Sequence, residues 1–231
     1  MVASPFTSLL FDLDGTLVDT APDLINAVNH VFARQNLPAV PGELVRPYVG
    51  LGALAMLQKG YEYHELGIDE AQLAQVHGVF RAYYEENICV ESQAYDGVWD
   101  VIPSLYEEGY RLAICTNKPE YLAVELLDRL DLSKYFAAIC GSDSVPNRKP
   151  HRDHLAITAD RAGTSLDRSV MVGDASPDVD GARNACIPII GFDYGYSTVA
   201  MADLSPDVLL SSFGDLPDAL KQLSSDKSID R

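Results

Sequence analysis

The sequence predicts an α/β protein: a doubly wound parallel sheet of the Rossmann-like kind, with helices inserted after the first strand. Short apolar runs recur along the chain without internal alternation, as expected for strands that are covered on both faces. Stretches with apolar residues three and four positions apart separate most of these runs and indicate helices. A long stretch with helical patterns only lies between the first apolar run and the second.

The apolar runs and the helical stretches alternate, which predicts βαβ units with right-handed crossovers. The runs predicted to be strands are Leu9–Leu13, Leu112–Cys115, Ala137–Cys140, Val170–Val172, Ile187–Ile190 and Val208–Leu210. The stretches predicted to be helices between them are Val98–Glu108, Tyr121–Leu130, His154–Ala162 and Asp178–Cys186.

Residues 20–94 are predicted to form a helical cap, while residues 1–19 and 95–231 form the α/β core. The helices expected in the cap are Pro22–Gln35, Leu44–Lys59 and Glu70–Glu86, and its hinges are expected at Asp19–Ala21 and Ser92–Gly97. Pro22 and Asp23 fit the first turn of the first cap helix, by fixed φ and by the helix dipole. The polar end Ser224–Arg231 is expected to fray.

The chain of 231 residues is strongly acidic, with 17 Lys and Arg against 34 Asp and Glu and a net charge of −17. Such a surface repels nucleic acid and anionic membranes, so neither is expected as a partner. An anionic substrate would need a locally cationic site. The four cysteines form no CxxC pair, and no apolar run is long enough to span a membrane or to serve as a signal peptide. A cytoplasmic protein is expected.

Two carboxylates lie at the carboxyl end of the first predicted strand. The chain reads Phe11-Asp12-Leu13-Asp14-Gly15-Thr16, so an apolar strand ends in Asp-x-Asp. Side chains two apart on a strand point the same way, and ligands bind beyond the carboxyl ends of strands in an open α/β sheet. Because adjacent carboxylates repel, one is protonated or a cation lies between them. Taken alone, the motif also fits a polar loop.

Two later strand ends carry groups suited to an anion. Thr116 and Asn117 follow the second strand, where a hydroxyl and free N–H groups suit a phosphate, although Thr116 alone also fits a helix cap. Lys149 lies in the basic run 147–152, at the start of a helix where the dipole disfavours cations. A solvated helix start is the alternative, but the conflict favours the cationic site that the acidic chain requires.

A further strand ends in Val172-Gly173-Asp174, and Asp178 follows in the first turn of the next helix. Asp178 fits that position by the helix dipole alone, whereas Asp174 does not have such an explanation. With Asp12 and Asp14, Asp174 makes an all-oxygen cluster, which suits Mg²⁺ rather than zinc or copper.

These strand-end groups, in this order, resemble the haloacid dehalogenase superfamily of aspartyl-phosphate phosphatases. Its signatures are DxDx[TV], a Thr or Ser after the second strand, a Lys before a helix, and GDxxxD. The resemblance spans most of the chain, and residues 20–94 are similar to the mobile cap of one subgroup. Within the superfamily the chain looks most like the bacterial phosphoglycolate phosphatases. The segments that carry this likeness are Tyr48–Ala53, Tyr95–Val98, Thr116–Pro119, Lys149–His151 and Tyr194–Tyr196.

The resemblance implies a role for each of these residues. Asp12 would be the nucleophile that forms an aspartyl-phosphate, and Asp14 the acid and then the base. Mg²⁺ would be held by the Asp12 carboxylate, the Asp14 main-chain carbonyl and Asp174. The groups expected to bind substrate are Thr116, Asn117, Lys149, Gly50 and Gly52, and Asp178 is expected to orient Lys149 or a metal-bound water. The chain departs from the family at His151-Arg152 and at Ala175, where Pro and Ser are frequent.

The implied function is Mg²⁺-dependent hydrolysis of a small phosphorylated metabolite, with 2-phosphoglycolate as the expected substrate. The cap loop Arg46–Ala53 offers a cation, N–H groups beside two glycines and a helix start, so we expect it to bind the substrate's carboxylate. The alternatives are a phosphatase for a sugar phosphate, a nucleotide or pyrophosphate, a phosphomutase, a 2-haloacid dehalogenase and a non-catalytic binding protein. The sequence does not decide between a monomer and a homodimer.

Overall fold

The computed structural model describes residues 5–226. In chain order its elements are β1 (Ser8–Phe11), β2 (Val18–Asp19), α1 (Ala21–Arg34), α2 (Gly42–Val45), α3 (Ala53–Tyr63), α4 (Glu70–Glu86), β3 (Gln93–Ala94), α5 (Val98–Glu107), β4 (Arg111–Cys115), α6 (Glu120–Arg129), β5 (Phe136–Cys140), α7 (Arg152–Arg161), β6 (Ser169–Gly173), α8 (Ser176–Ala185), β7 (Ile189–Phe192), β8 (Val208–Leu210) and α9 (Leu216–Asp226). The main sheet has the order β5-β4-β1-β6-β7-β8, and every neighbouring pair in it is parallel.

Helices cover both faces of this sheet, which is why its strands are apolar beyond their first residues. Leu9 and Phe11 of β1 pack in the cluster that contains residues of α5, α6 and α9. Leu10, between them, packs in the cluster on the other face, with residues of α7 and α8. The predicted doubly wound sheet is confirmed, and each predicted core strand and helix is found with its ends shifted by two residues at most.

The register of the central strands brings their carboxyl ends to one edge of the sheet. Phe11 at the end of β1 lies beside Ile114 of β4 and beside Val172 of β6. The residues that follow these strands, which include Asp12 and Asp174, therefore emerge side by side.

Helices α1 to α4, which lie in the segment predicted to be the cap and are called the cap below, pack against one another through a shared apolar interior. The chain enters and leaves the cap through a short antiparallel ribbon, β2 with β3, in which Val18 pairs with Ala94. The predicted helix Leu44–Lys59 is wrong in one respect, because it is interrupted by a 3₁₀ turn, Arg46–Leu51. Pro47 lacks an N–H, and Gly52 has a φ of +97°, so a continuous helix is blocked here.

The Asp23 carboxylate ties the start of the cap to its end. It is buried and accepts hydrogen bonds from the backbone N–H groups of Val90, Glu91 and Ser92, at 2.9 to 3.1 Å, and from the Ser92 hydroxyl at 2.7 Å. The sequence explained Asp23 by the helix dipole alone. The structure shows that it also holds the segment that leads into β3.

The chain end folds further than the sequence indicates. Helix α9 runs to Asp226 and buries Leu216 and Leu220, so the helix includes Ser224 and Ser225 of the polar end. Residues 227–231 of the polar end lie outside the described residues.

None of the helices within residues 5–226 combines the length and the apolar composition needed to cross a bilayer. The cysteines are free thiols: Cys115 and Cys140 are buried, Cys89 is partly buried and Cys186 is exposed.

Candidate active site

Three carboxylates converge at the carboxyl edge of the sheet. Asp12 follows β1, Asp174 follows β6, and Asp178 lies in the first turn of α8. All three are buried, and one oxygen from each lies within 4.8 Å of the others. The Asp14 side chain is not part of this cluster, because it turns toward Lys118 instead.

Glycines make room for these carboxylates. A Cβ at Gly15 would lie 2.5 Å from Oδ2 of Asp174, and Gly15 also has a φ of +86°, which favours glycine. A Cβ at Gly195 would collide with the same carboxylate, and one at Gly173 would collide with Asp178. Larger residues at these positions would displace the cluster.

Hydrogen bonds hold the two carboxylates that follow β6, those of Asp174 and Asp178. The Thr16 hydroxyl donates to Oδ1 of Asp174 at 2.6 Å, and the N–H of Tyr196 donates to Oδ2 at 2.6 Å. Asp178 accepts the N–H groups of Asp174 and Ala175 on Oδ2, at 3.2 and 3.1 Å. The loop after β6 and the start of α8 are thereby held in one arrangement.

Lys149 supplies the positive charge of the cluster. Its Nζ lies 2.6 Å from Oδ1 of Asp178 and 3.0 Å from Oδ1 of Asp12, and its side chain is buried. Burial lowers the pKa of Lys149, but the two carboxylates outweigh burial and hold that pKa above its usual value. Lys149 is therefore charged at neutral pH.

The negative charge of the cluster exceeds what Lys149 neutralises. Burial raises the pKa of Asp12 to about 6; Lys149 opposes this rise, whereas Asp178 and Asp14 add to it. Burial, reinforced by Asp12 and Asp178, also raises the pKa of Asp174 well above its usual value. These carboxylates are held close together in spite of a clear cost to their ionised forms.

The cluster fits a small divalent cation. Oδ1 of Asp12 is buried and accepts no hydrogen bond from residues 5–226, since Lys149 is close enough for an ion pair but is not aligned for a hydrogen bond. The donor set consists of oxygens only, as Mg²⁺ prefers, and its three carboxyl groups outnumber the one ammonium group, that of Lys149, that pairs with them.

Thr116 and Asn117 lie beside the carboxylates, as expected from their place after β4. The buried Thr116 hydroxyl accepts the N–H of Lys118 at 3.2 Å, and Nδ2 of Asn117 donates to the main-chain oxygen of Lys149 at 3.1 Å. Oδ1 of Asn117 is buried without a hydrogen-bond partner in the described part of the chain. Asn117 therefore connects the loop after β4 to the loop that carries Lys149.

A cavity of about 390 Å³ lies between this edge of the sheet and the cap. On the core side it is lined by Asp12, Asp14, Thr116, Asn117 and Lys118. On the cap side it is lined mainly by apolar side chains and glycines, among them Leu24, Gly50, Gly52, Met56, Phe80 and Tyr84. A ligand that reaches Asp12 is therefore enclosed by both parts of the chain.

The cap loop 46–53 contacts the core differently from what the sequence suggests. Arg46 does not line the cavity, because its Nη2 pairs with Oδ2 of Asp19 at 3.0 Å and its guanidinium lies 4.8 Å from the ring centre of Tyr196. The Tyr196 hydroxyl also hydrogen-bonds the Asp19 carboxylate. Gly50 lies against the core, since a Cβ there would be 3.1 Å from the main-chain oxygen of Tyr196.

Lys118 is the residue of the site that the sequence analysis left without a role. Its Nζ donates to Oδ1 of Asp14 at 2.9 Å and to Oη of Tyr84, in the cap, at 2.7 Å. Burial lowers the pKa of Lys118, but Asp14 and Tyr84 raise it more, so it lies above its usual value. A lysine three residues after a buried strand in an acidic chain was the available indication, whereas Tyr84 is hidden in the apolar pattern of α4.

His154 holds the loop that carries Lys149 through hydrogen bonds of its ring nitrogens. Its Nδ1 accepts the N–H of Lys149 at 3.1 Å, so Nε2 donates to the main-chain oxygen of Cys140 at 3.1 Å. Burial, and then the charge of Lys149, lowers the pKa of His154 to about 4. This histidine is neutral in the folded protein over the physiological range.

We expect His154 to make the protein less stable in mild acid. The unfolded chain binds a proton here near pH 6.5, while the folded chain resists until about pH 4, so stability falls as the pH falls between these values. From pH 7 to 5 this amounts to about 2 kcal/mol. In urea unfolding, the stability difference between wild type and His154→Asn should shrink by that amount, whereas the difference for Thr158→Val should stay constant. A constant difference for His154→Asn would contradict the expectation.

Comparison with known proteins agrees with this geometry. Residues 9–192 match the haloacid dehalogenase-like hydrolase family. The chain is 41% identical over 221 residues to a phosphoglycolate phosphatase of Agrobacterium fabrum, covering 95% of both chains. It is 38% identical over 205 residues to one of Mesorhizobium japonicum, covering 89% of this chain and 90% of that one. Among solved structures, a predicted phosphoglycolate phosphatase of Haemophilus somnus has a TM-score of 0.87 at 30% identity, over 94% of this chain and 99% of that one.

Proposed function

Because the chain belongs to the haloacid dehalogenase-like hydrolases, we propose that it hydrolyses 2-phosphoglycolate with Mg²⁺ through an aspartyl-phosphate. That it is a phosphoric monoester hydrolase follows from its similarity to phosphoglycolate phosphatases over nearly the whole chain. The observation that carries the proposed mechanism is the buried Asp12 carboxylate. It lines the cavity, and its Oδ1 lies 3.0 Å from Nζ of Lys149.

In the first step, a carboxylate oxygen of Asp12 attacks the phosphorus of the bound ester. A bond forms between this oxygen and phosphorus while the bond from phosphorus to the glycolate oxygen breaks. Lys149 and the Thr116 hydroxyl bind the phosphoryl oxygens, which lowers the repulsion between an anionic nucleophile and an anionic substrate. The buried position of Asp12 supports this role, since a desolvated carboxylate carries little water that must leave before the attack.

Asp14 moves the proton in both steps. As the ester bond breaks, Asp14 donates a proton to the glycolate oxygen, which leaves as a hydroxyl. Asp14 then takes a proton from the water that attacks the phosphorus, and the bond to Asp12 breaks to release phosphate. The position of Asp14 supports this role, because Asp14 lines the cavity two residues beyond Asp12. Its carboxylate accepts a hydrogen bond from Lys118 and is not part of the carboxylate cluster.

The residues that would hold Mg²⁺ are Asp12, Asp174 and the main-chain carbonyl of Asp14. When bound, the ion neutralises charge between the nucleophile and the phosphoryl oxygens. Asp178 is assigned the role of orienting Lys149, because its Oδ1 lies 2.6 Å from Nζ of Lys149. The support is the excess of buried carboxylates over ammonium groups and the Asp12 oxygen that accepts no hydrogen bond within residues 5–226.

We further propose that residues 20–94 move as a cap over a core made of residues 1–19 and 95–231. The narrow β2–β3 connection and the cavity between the two parts support this division. Closure would exclude bulk water and would admit only leaving groups that the cap can enclose.

The test is phosphate release in Mg²⁺ from 2-phosphoglycolate, a sugar phosphate, a nucleoside monophosphate and pyrophosphate. We expect kcat/KM to be highest for 2-phosphoglycolate by roughly tenfold or more, the effect of one good ionic contact. Excess chelator should abolish turnover, and added Mg²⁺ should restore it. A preference for another ester would refute the substrate and leave the reaction class, and full activity in chelator would refute the metal.

A further inference from the structure

We propose that Lys118 is the specificity-determining residue of this site, and that its ammonium binds the carboxylate of the leaving group. The inference rests on the proposed function, because it takes Asp14 as the group that protonates the glycolate oxygen. It assigns to a core lysine the recognition that the sequence suggested for the cap loop.

Lys118 is placed where such a contact is needed. Its side chain lines the cavity and is only 4% exposed, and its Nζ lies 2.9 Å from Oδ1 of Asp14. The carboxylate carbon of 2-phosphoglycolate is two bonds from the ester oxygen. A carboxylate so close to the oxygen that Asp14 protonates must therefore lie near the partners of Asp14, and Lys118 is the cationic one.

Lys118 also has a donor left for a ligand. An ammonium carries three N–H groups. Asp14 takes one and Tyr84 takes another, and these are the hydrogen bonds that its Nζ makes with residues 5–226. The third N–H can be donated to a substrate carboxylate without the loss of either bond.

The other cations near the cavity are poorer candidates. Arg81 and Arg148 line the cavity but are exposed, and Arg81 is already 3.6 Å from Glu85. Water screens an exposed charge, whereas a buried ammonium attracts an anion more strongly. Arg46 is paired with Asp19 and lies outside the cavity lining.

The cap takes part in this recognition through Tyr84. The Tyr84 hydroxyl accepts from Nζ of Lys118 at 2.7 Å, and its ring centre lies 4.7 Å from the same nitrogen. The rest of the cap side is largely apolar, with Met56 and Phe80 among its residues. The cap therefore aims the cation of the core and offers an anionic leaving group few polar contacts of its own.

The experiment compares three esters in wild type, Lys118→Gln and Lys118→Arg. The first is 2-phosphoglycolate. Ethyl phosphate has a similar size but lacks the carboxylate, and p-nitrophenyl phosphate has a leaving group that needs no proton. In Lys118→Gln, kcat/KM for 2-phosphoglycolate should fall about 10- to 150-fold more than kcat/KM for ethyl phosphate, the effect of one charged hydrogen bond. Lys118→Arg should retain part of the preference because it keeps the charge.

A variant at the partner gives an independent measurement. Tyr84→Phe keeps the ring and removes the hydroxyl, so it should weaken the same preference by a smaller factor, with the change mainly in KM. Lys134→Gln, at an exposed lysine paired with Asp131 outside the cavity, is the matched control and should leave all three values unchanged.

Several results would overturn the proposal. An equal loss on 2-phosphoglycolate and ethyl phosphate, with p-nitrophenyl phosphate spared, would mean that Lys118 only positions Asp14. An equal loss on all three esters would mean a structural role. Loss of the preference in Arg148→Gln but not in Lys118→Gln would place the carboxylate elsewhere. A wild type that does not prefer 2-phosphoglycolate to ethyl phosphate would refute the proposed function itself, before any variant is made.

Discussion

Replacing Asp12 by asparagine should abolish turnover, with a loss of about 10⁴-fold or more. The amide has nearly the same shape as the carboxylate but cannot attack phosphorus, so no covalent intermediate forms. Phosphate release and acid-quenched labelling with ³²P-substrate would both fall to background. In contrast, Asp14→Asn should still form labelled protein and break it down about 10²- to 10⁴-fold more slowly, as expected when a general acid and base is lost.

The loss in Asp12→Asn should not reflect unfolding. Burial raises the pKa of Asp12 to about 6, so at neutral pH its carboxylate is mostly ionised in the folded protein but costs more free energy there than in the unfolded chain. The amide removes that penalty, and the variant should unfold in urea at the wild-type concentration or above it. Asp167→Asn, at an exposed position, is the matched control for activity. One tenth of the wild-type rate in Asp12→Asn would disprove the covalent mechanism.

Replacing Lys149 by methionine should produce the largest loss of stability at the site, about 3–5 kcal/mol at pH 7 in metal-free buffer. Methionine fills a similar volume, but it leaves the carboxylates of Asp12 and Asp178 buried without the ammonium that lies 3.0 and 2.6 Å from them. Urea unfolding would measure the loss, and activity should disappear as well because the phosphoryl oxygens lose their cation.

Two controls separate the buried charge from the change of size. Adding Asp178→Asn to Lys149→Met should recover a large part of the lost stability, since the amide is neutral and still accepts the N–H groups of Asp174 and Ala175. Lys134→Met removes a surface lysine paired with Asp131 and should change stability by no more than about 0.5 kcal/mol. If Lys149→Met were equally harmless, the buried ion pairs would not hold this loop.

The parts of the site that the sequence predicted follow from local patterns and one rule of sheet geometry. Asp12 and Thr116 come directly after a short apolar run, and Asp174 follows one after a single glycine. Parallel strands present their carboxyl ends at the same edge, so the sequence alone suffices to place these residues together. The sheet itself was predictable for the same reason, because strands covered on both faces are apolar without alternation.

The parts that escaped prediction depend on contacts between distant segments. Lys118 donates a hydrogen bond to Tyr84, which lies on a helix whose sequence pattern indicates only an apolar face. Arg46 turns to Asp19 at the hinge, which no local rule specifies. Asp23 fits the helix dipole at the start of α1, although its hydrogen-bond partners are the N–H groups of residues 90–92. For Asp23 a plausible local explanation concealed a long-range one, whereas for Lys118 and Arg46 the deciding partner is distant in the chain.

The pairing of Val18 with Ala94 also bears on how such proteins diversify. The chain enters the cap after β2 and leaves it through β3, which pairs with β2, so the two ends of the cap stay together whatever the length of chain between them. The entropy cost of closing a flexible loop rises only by about 0.6 kcal/mol for each doubling of its length. A gene encoding this sheet can therefore accept a longer, shorter or unrelated insertion at this position during evolution with little effect on the stability of the strands below.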